Sequence, residues 1–273
     1  MIFFNLKMTL YNKDCNEIMP TLQKESFDAL ITDPPYGLVN KASTNKRKNK
    51  NITQLENWDT LSYDWLPEAI ELLKPNSNIV IFTDWMKITD LCNKLKECNC
   101  IPKDLFRFEK TRPTNPMTAK FRFAADCEYA VWAVKGETTN YTFNLGVQKW
   151  IRPRVKSGLT KSEYPYGKHP AQKPRRVSST LIEILTNTGD KILDPFCGSA
   201  SFGVTALLLK RDYVGIEKDE KYFQIAQKNI EDIKNEINQK NISEEPSSEP
   251  TLEPASETTE TTEKTRKVNK KVK

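Results

Sequence analysis

Residues 27–38 read FDALITDPPYGL, and this stretch decides the fold. Ala29, Leu30 and Ile31 form a short apolar run that stops at Thr32-Asp33 and a pair of prolines. A run ended in this way predicts a buried parallel strand finishing at its carboxyl edge. That edge is where open α/β sheets place their ligands. Pro34 and Pro35 carry no N–H and hold φ near about −65°, so they make a stiff turn rich in acceptors. Asp33 adds a carboxylate and Tyr36 a flat ring. The set suits an amino group held by acceptors and a planar ring held by stacking. A plain proline turn after a strand fits the same residues, so the rest of the chain has to decide.

Outward from this stretch, apolar runs of strand length alternate with segments of helical period. Strands are predicted over residues 8–12, 78–83, 105–109, 127–134, 191–193 and 213–216. Helices are predicted over 16–23, 62–73, 84–98, 175–186, from about 200 to 210, and 218–238. Ser62 is read as the N-cap of the second helix, and Lys74-Pro75-Asn76 as its end. Alternation of this kind predicts an α/β fold, a doubly wound, predominantly parallel Rossmann-like sheet.

At 273 residues the chain has room for one large domain with appendages. Residues 243–263 hold seven Glu and no Lys or Arg, whereas 264–273 hold six basic residues and no acid. Such a tail is too polar to bury an apolar face and is read as disordered from residue 241 onward. The net charge of +6 is modest, so its clustering matters more than its sum. Basic loops are predicted over 41–51 and 110–122, and residues 138–167 interleave aromatic and basic side chains. Rings that stack on bases and cations that meet phosphates suit nucleic acid, although an irregular insertion whose aromatics cover the core fits equally well. The candidate nucleic-acid contacts are Lys46, Arg47, Lys48, Arg112, Lys120, Arg152 and Arg154.

The six Cys include no C-x-x-C pair and the chain has a single His, which argues against a metal site. No apolar run reaches the length of a membrane span, and no leader pattern opens the chain; a cytoplasmic protein with reduced thiols is expected.

A second constellation answers the first. KILDPFCGS at 191–199 is followed by YVGIE at 213–217. A strand ends at Asp194, a turn with Gly198 lets backbone approach a ligand, and a helix then offers unpaired amides. A second strand ends in Glu217, a carboxylate able to take both hydroxyls of a ribose. The full G-x-G-x-x-G is missing, which argues against a dinucleotide. An ordinary βαβ unit remains the plain alternative.

Taken together, DPPY at 33–36, HPAQKP at 169–174, DPFCGS at 194–199 and YVGIE at 213–217 resemble the amino-methylating DNA methyltransferases. The motif order resembles the circularly permuted beta class of that family. The resemblance covers roughly residues 8–235. It implies methylation of an exocyclic amino group from S-adenosylmethionine, with double-stranded DNA as partner and no metal or membrane. Asp33, Pro34, Pro35 and Tyr36 would be catalytic: Asp33 and the Pro34 carbonyl would accept from the amino group, and Tyr36 would stack on a flipped base. Cofactor contacts would come from Asp14, Cys15, Asp33, His169, Gln172, Lys173, Asp194, Phe196, Gly198, Ser199 and Glu217. The implied layout is a target-amino half at 1–137, a target-recognition region at 138–168, a cofactor half at 169–240 and a tail at 241–273. A homodimer and a cognate restriction nuclease are compatible with it.

Asp at the head of the motif points to adenine N6; Ser is more usual in the cytosine N4 enzymes, which are the alternative. Carbon-5 cytosine chemistry needs an activated Cys in a Pro-Cys context, absent here. One departure concerns Ala200, where the family usually has Gly. If that position needs φ > 0, the cost is on the order of 1 kcal/mol, and a cofactor-impaired DNA-binding relative is the other alternative.

Overall fold

The structure is a computed structural model and describes residues 6–35, 62–114, 125–136, 140–144, 159–167, 169 and 171–243. Seven strands form one sheet in the order β1-β7-β6-β2-β3-β5-β4. They are β1 (Met8–Tyr11), β2 (Phe27–Thr32), β3 (Leu73–Thr83), β4 (Cys100–Thr114), β5 (Ala125–Lys135), β6 (Lys191–Asp194) and β7 (Asp212–Ile216). The pairs β1–β7, β7–β6, β6–β2 and β2–β3 are parallel, whereas β5 runs antiparallel to both β3 and β4. The sheet is therefore mixed, with a reversed hairpin at one end. The helices are α1 (Cys15–Ile18), α2 (Leu66–Glu71), α3 (Ile88–Glu97), α4 (Arg175–Leu185), α5 (Ser201–Leu208) and α6 (Glu220–Ser243).

Strand periodicity assigns the two faces. Leu30, Ile79, Ile81 and Leu193 pack with Leu66, Ile70, Leu91 and Leu95 from α2 and α3. Ala29, Ile31, Val80, Phe82 and Ile192 face the other way, against Val177 and Leu181 of α4 and Phe202 of α5. Each fully buried Leu, Ile or Phe contributes about 1.5–3 kcal/mol. A third cluster joins Ala200, Val204 and Leu207 to Ala226, Ile230 and Ile233 of α6.

Several sequence expectations shift. The helix predicted at 62–73 begins only at Leu66, with Pro67 in its first turn and no side-chain cap. Ser62 Oγ instead accepts from the Asp64 amide at 3.1 Å, in a turn before the helix. Lys74-Pro75-Asn76 does not end a helix. It lies within β3, where pairing jumps from Phe27↔Leu73 to Ala29↔Asn78 and Asn76 sits at φ 68. Ser77 Oγ donates to the Phe27 carbonyl at 3.1 Å and Lys74 reaches Asp28 at 2.5 Å, so the irregularity is held from both sides. The segment read as a helix at 16–23 is one turn of α1 followed by a 3-10 turn through Pro20. Strands β4 and β5 outrun their predicted bounds, and 110–114, read as loop, continue β4.

The sheet's far side is also braced. Trp132 of β5 lies 5.6 Å from the Tyr141 ring and 5.2 Å from Phe143, and its Nε1 donates to Asn78 Oδ1 at 2.9 Å. Tyr141 and Phe143 therefore cover the sheet, the plainer of the two readings for those aromatics.

Candidate active site

The chain leaves β6 toward β7 on one side and β2 toward β3 on the other, so neighbouring β6 and β2 form the point where connection direction reverses. Ligands of open α/β sheets bind outside the carboxyl ends at such a point. Asp33 follows the end of β2, and Asp194 closes β6. The two motifs, far apart in sequence, meet there.

Asp194 is fully buried and faces protein donors. It accepts from Thr32 Oγ1 at 2.7 Å, from the Tyr213 hydroxyl at 2.8 Å and from the Phe196 amide at 3.2 Å. Burial pushes its pKa up to about 7, against the pull of those hydrogen bonds; the nearby Asp33 charge adds to the rise. Asp194 was expected to touch a cofactor. Its three hydrogen bonds brace the ends of β2 and β6 against β7.

The turn after Asp194 is fixed by backbone bonds: the Cys197 amide to the Ile216 carbonyl at 2.9 Å and the Ala200 amide to the Cys197 carbonyl at 2.7 Å. Gly198 lies at φ 54, and a Cβ there would come within 3.3 Å of the His169 ring, so glycine lets that ring sit over the turn. Ala200 occupies the left-handed region at φ 58, ψ 39 and starts α5. The condition attached to Ala200 in the sequence is therefore met. Phe202 packs inward, 5.8 Å from Phe82.

Glu217, just beyond β7, closes the turn from the far side. Its Oε2 accepts from the Gly198 amide at 2.9 Å and its Oε1 from the Asp219 amide at 2.8 Å. Burial raises its pKa, with those amides pulling the other way. Asn229 of α6 adds a bond to the Ser199 carbonyl at 3.0 Å. Phe196 stands edge-on to Trp65 at 5.0 Å.

The 169–174 segment lies across both motifs. His169 meets Tyr222 edge-on at 4.3 Å, and its Nδ1 accepts from the Ala171 amide at 3.3 Å. Burial, then the Lys173 charge, lowers its pKa to about 4, so it is neutral near pH 7. Gln172 Nε2 donates to the Glu163 carbonyl at 2.5 Å, while its buried Oε1 has no partner among the described residues. The surrounding cleft of about 230 Å³ is lined by Ser199, Ser201 and Asn229 among others. Lys173, expected beside a cofactor, is buried against Asp33: its Nζ pairs with Asp33 Oδ2, and Glu128 Oε2 lies 3.3 Å away. Burial disfavours the ammonium, yet Asp33 and Glu128 outweigh it and hold its pKa above the ordinary lysine value.

Asp14 caps α1, accepting from the Asn16 amide at 3.0 Å, and Cys15 is buried with its thiol pushed up to about 12. Burial likewise raises the thiol of Cys100 to about 12 and that of Cys197 further still. Among the described residues, no group of three or more His, Cys, Asp or Glu is placed to hold a metal. Tyr36, Lys46, Arg47, Lys48, Lys120, Arg152 and Arg154 lie outside the described residues, and of Arg112 only the backbone, on β4, is described. Sequence reasoning missed Thr32, Glu128, Tyr213 and Asn229. Glu128 alone left a signal, an acid inside the apolar strand CEYAVWAV.

Comparison with known proteins agrees with this geometry. A family model described as DNA methylase, of the N6/N4 type, matches residues 27–228. The chain is 30% identical over 255 residues to the type II methyltransferase M2.MboI of Moraxella bovis, spanning 85% of this chain and 92% of that one. It is 29% identical over 249 residues to the type II methyltransferase M2.DpnII of Streptococcus pneumoniae, spanning 85% and 92%. Among solved structures, M1.HpyAVI in complex with SAM superposes with a TM-score of 0.65 at 30% identity, over 81% of this chain and 98% of that one. The long family match and the near-complete relatives agree with a sheet whose reversal point joins the two motifs, and the chain belongs to the N6/N4 DNA methylase family.

Proposed function

We propose that this chain is a site-specific methyltransferase that moves a methyl group from S-adenosylmethionine to the N6 amino group of adenine in double-stranded DNA, acting on a base turned out of the helix. The observation that carries it is the meeting of Asp33-Pro34 with the 194–199 turn across the sheet's reversal point, tied by Thr32 and Asp194. S-adenosylmethionine, when bound, supplies an electrophilic methyl on a sulfonium. The residues present fit it. Glu217 offers a carboxylate at a strand end for ribose hydroxyls, and the buried, unpartnered Gln172 Oε1 offers an acceptor for an ammonium group. Phe196 offers an apolar ring on the 194–199 turn, edge-on to Trp65.

An aromatic amine is a poor nucleophile because its lone pair is spread into the ring. Asp33 and the Pro34 carbonyl accept hydrogen bonds from its two N–H groups, which localises that pair on nitrogen as the N–CH3 bond forms and the S–CH3 bond breaks. The remaining gain comes from alignment of the reacting atoms. The raised thiols of Cys15, Cys100 and Cys197 favour direct transfer without a covalent enzyme adduct. Glu217, Gln172, Phe196, Gly198 and Ser199 are assigned to the cofactor; Asp14 and Cys15 remain candidates for its adenine end. A homodimer, a cognate restriction nuclease and a cytoplasmic location belong to the same proposal. In support of the nuclease, the relatives are named type II methyltransferases; no described helix is long and apolar enough to cross a membrane.

The test is to incubate the protein with S-adenosylmethionine and unmodified DNA and to read modified bases directly by sequencing. N6-methyladenine at one short motif is expected. N4-methylcytosine alone would replace the adenine assignment, and no modified base at all would overturn the proposal.

A further inference from the structure

We propose that Lys173 is a positioning residue for the methyl-transfer reaction: buried against Asp33 just beyond the end of β2 and anchored by Glu128, it keeps Asp33 ionised and fixed in orientation as the acceptor for the target amino group. This rests on the methyltransferase reading above and extends it to a residue from the other motif.

The geometry is specific. Lys173 is 3% exposed, Asp33 10% and Glu128 30%. The ammonium contacts Asp33 Oδ2, stands 3.3 Å from Glu128 Oε2, donates to the Ala171 carbonyl at 3.3 Å and lies 4.7 Å from the centre of the Phe82 ring. A lysine spent on structure alone has little reason to sit at the one carboxylate that must accept from substrate. The electrostatic need is plain. Asp33 stands close enough to the buried Asp194 for each to feel the other, and Glu128 brings a third acid from β5. Three carboxyls at the carboxyl edge of one sheet cannot all ionise without a cation among them. Tyr213, bound to Asp194, is a neutral hydroxyl, and His169 on the same segment as Lys173 is uncharged near neutral pH. Lys173 is thus the cation that faces Asp33 among the groups that the described elements bring to this edge. A protonated Asp33 would donate where the reaction needs an acceptor.

Removing the cation raises the Asp33 pKa, because an adjacent opposite charge lowers a carboxylate by about 1–3 units. In Lys173→Met the acidic limb of the kcat profile is therefore expected to move up by about one pH unit or more. In Lys173→Arg, which keeps the charge, the limb stays within a few tenths. In Lys173→Met/Glu128→Gln it moves part of the way back. The affinity for S-adenosylmethionine, measured calorimetrically, is expected to change less than threefold in Lys173→Arg and Lys173→Met. A readout free of catalysis is the carboxyl carbon-13 titration of Asp33 in the protein alone, whose midpoint rises in Lys173→Met. Circular dichroism checks that each variant folds. If Lys173→Met does not fold, the Lys173→Arg and Glu128→Gln titrations carry the test, and a lower Asp33 midpoint is expected in Glu128→Gln. If the wild type methylates DNA but neither the limb nor the Asp33 midpoint moves in the variants that fold, Lys173 is structural and the proposal is overturned. If the wild type transfers no methyl group, the methyltransferase reading fails instead, and the Asp33 titration still judges the ion pair.

Discussion

Thr32 Oγ1 donates to Asp194 Oδ1 at 2.7 Å, joining residues 162 positions apart in the chain. This bond stitches the end of the strand before DPPY to the end of the strand before the second turn. Both residues are fully buried, so losing Thr32 leaves Asp194 Oδ1 with the Phe196 amide as its remaining donor, at 3.2 Å.

Thr32→Val removes the donor and leaves a buried carboxyl oxygen short of one hydrogen bond. A loss of about 1–3 kcal/mol in stability is expected. Urea unfolding at fixed pH measures it. Thr32→Ser, which keeps the hydroxyl, should recover most of the difference; equal losses in both variants would show that packing, not the bond, is at stake.

His169 and Asp194 load opposite slopes onto the pH dependence of stability. His169 has a native pKa of about 4 against roughly 6.5 when unfolded. Between those values only the unfolded chain holds the proton, so this contribution is lost as pH falls. Asp194 has a native pKa of about 7 against roughly 3.9 unfolded. There the native state alone holds the proton, so its contribution is lost as pH rises from about 4 to 7. At about 1.36 kcal/mol per unit, each amounts to a few kcal/mol, and they largely cancel. Asp194→Asn should steepen the rise of stability between pH 4 and 6.5 relative to wild type, and His169→Gln should turn it into a fall. Unfolding midpoints across that range decide; parallel curves for all three proteins would refute the pairing.

Tyr213 is fully buried, and its ring occupies the space that side chains at Gly203 and Gly215 would need. A Cβ at either glycine would stand 2.7 Å from Tyr213 Cε1, and one at Gly215 would also meet Leu10 at 2.9 Å. The ring cannot retreat without giving up the bond from its hydroxyl to Asp194. Gly203→Ala is expected to cost about 1–3 kcal/mol, the usual range for overpacking. In a double-mutant cycle with Tyr213→Leu the penalty should shrink; an unchanged penalty would place the clash elsewhere.

At Ala200 three effects of similar size compete. The left-handed conformation costs about 1–2 kcal/mol for an L residue, which Gly would relieve. Gly would also lose a buried methyl, about 0.8 kcal/mol, and loosen the unfolded chain by about 0.4–1 kcal/mol. Ala200→Gly is thus expected to leave stability within about 1 kcal/mol of wild type, while Ala200→Val, β-branched at φ 58 in a fully buried site, should lose more than about 2 kcal/mol. Thermal melts of the two variants compare them directly.

Local signals were legible wherever punctuation and periodicity coincide. The strands ending before Asp33, at Asp194 and before Glu217 stand within a residue or so of where the apolar runs and turn residues put them. Proline misled at residues 74–76. A stop signal inside the strand that continues through NIVIFT marks an irregularity, and nothing local separates that from a loop. The cap that Asp14 supplies to α1 was not legible either, because a helix one turn long leaves no periodic signal in the sequence.

The sequence by itself determined the alternating α/β architecture and the two acceptor-rich strand ends, because apolar period, proline and glycine act over a few residues. Which groups meet was decided only by the tertiary structure. The sheet order sets β2 beside β6, which puts Thr32 on Asp194. The crossing of the 169–174 segment carries Lys173 to Asp33, 140 positions away. Electrostatics of that kind depends on distance through the folded interior, and no spacing along the chain encodes it.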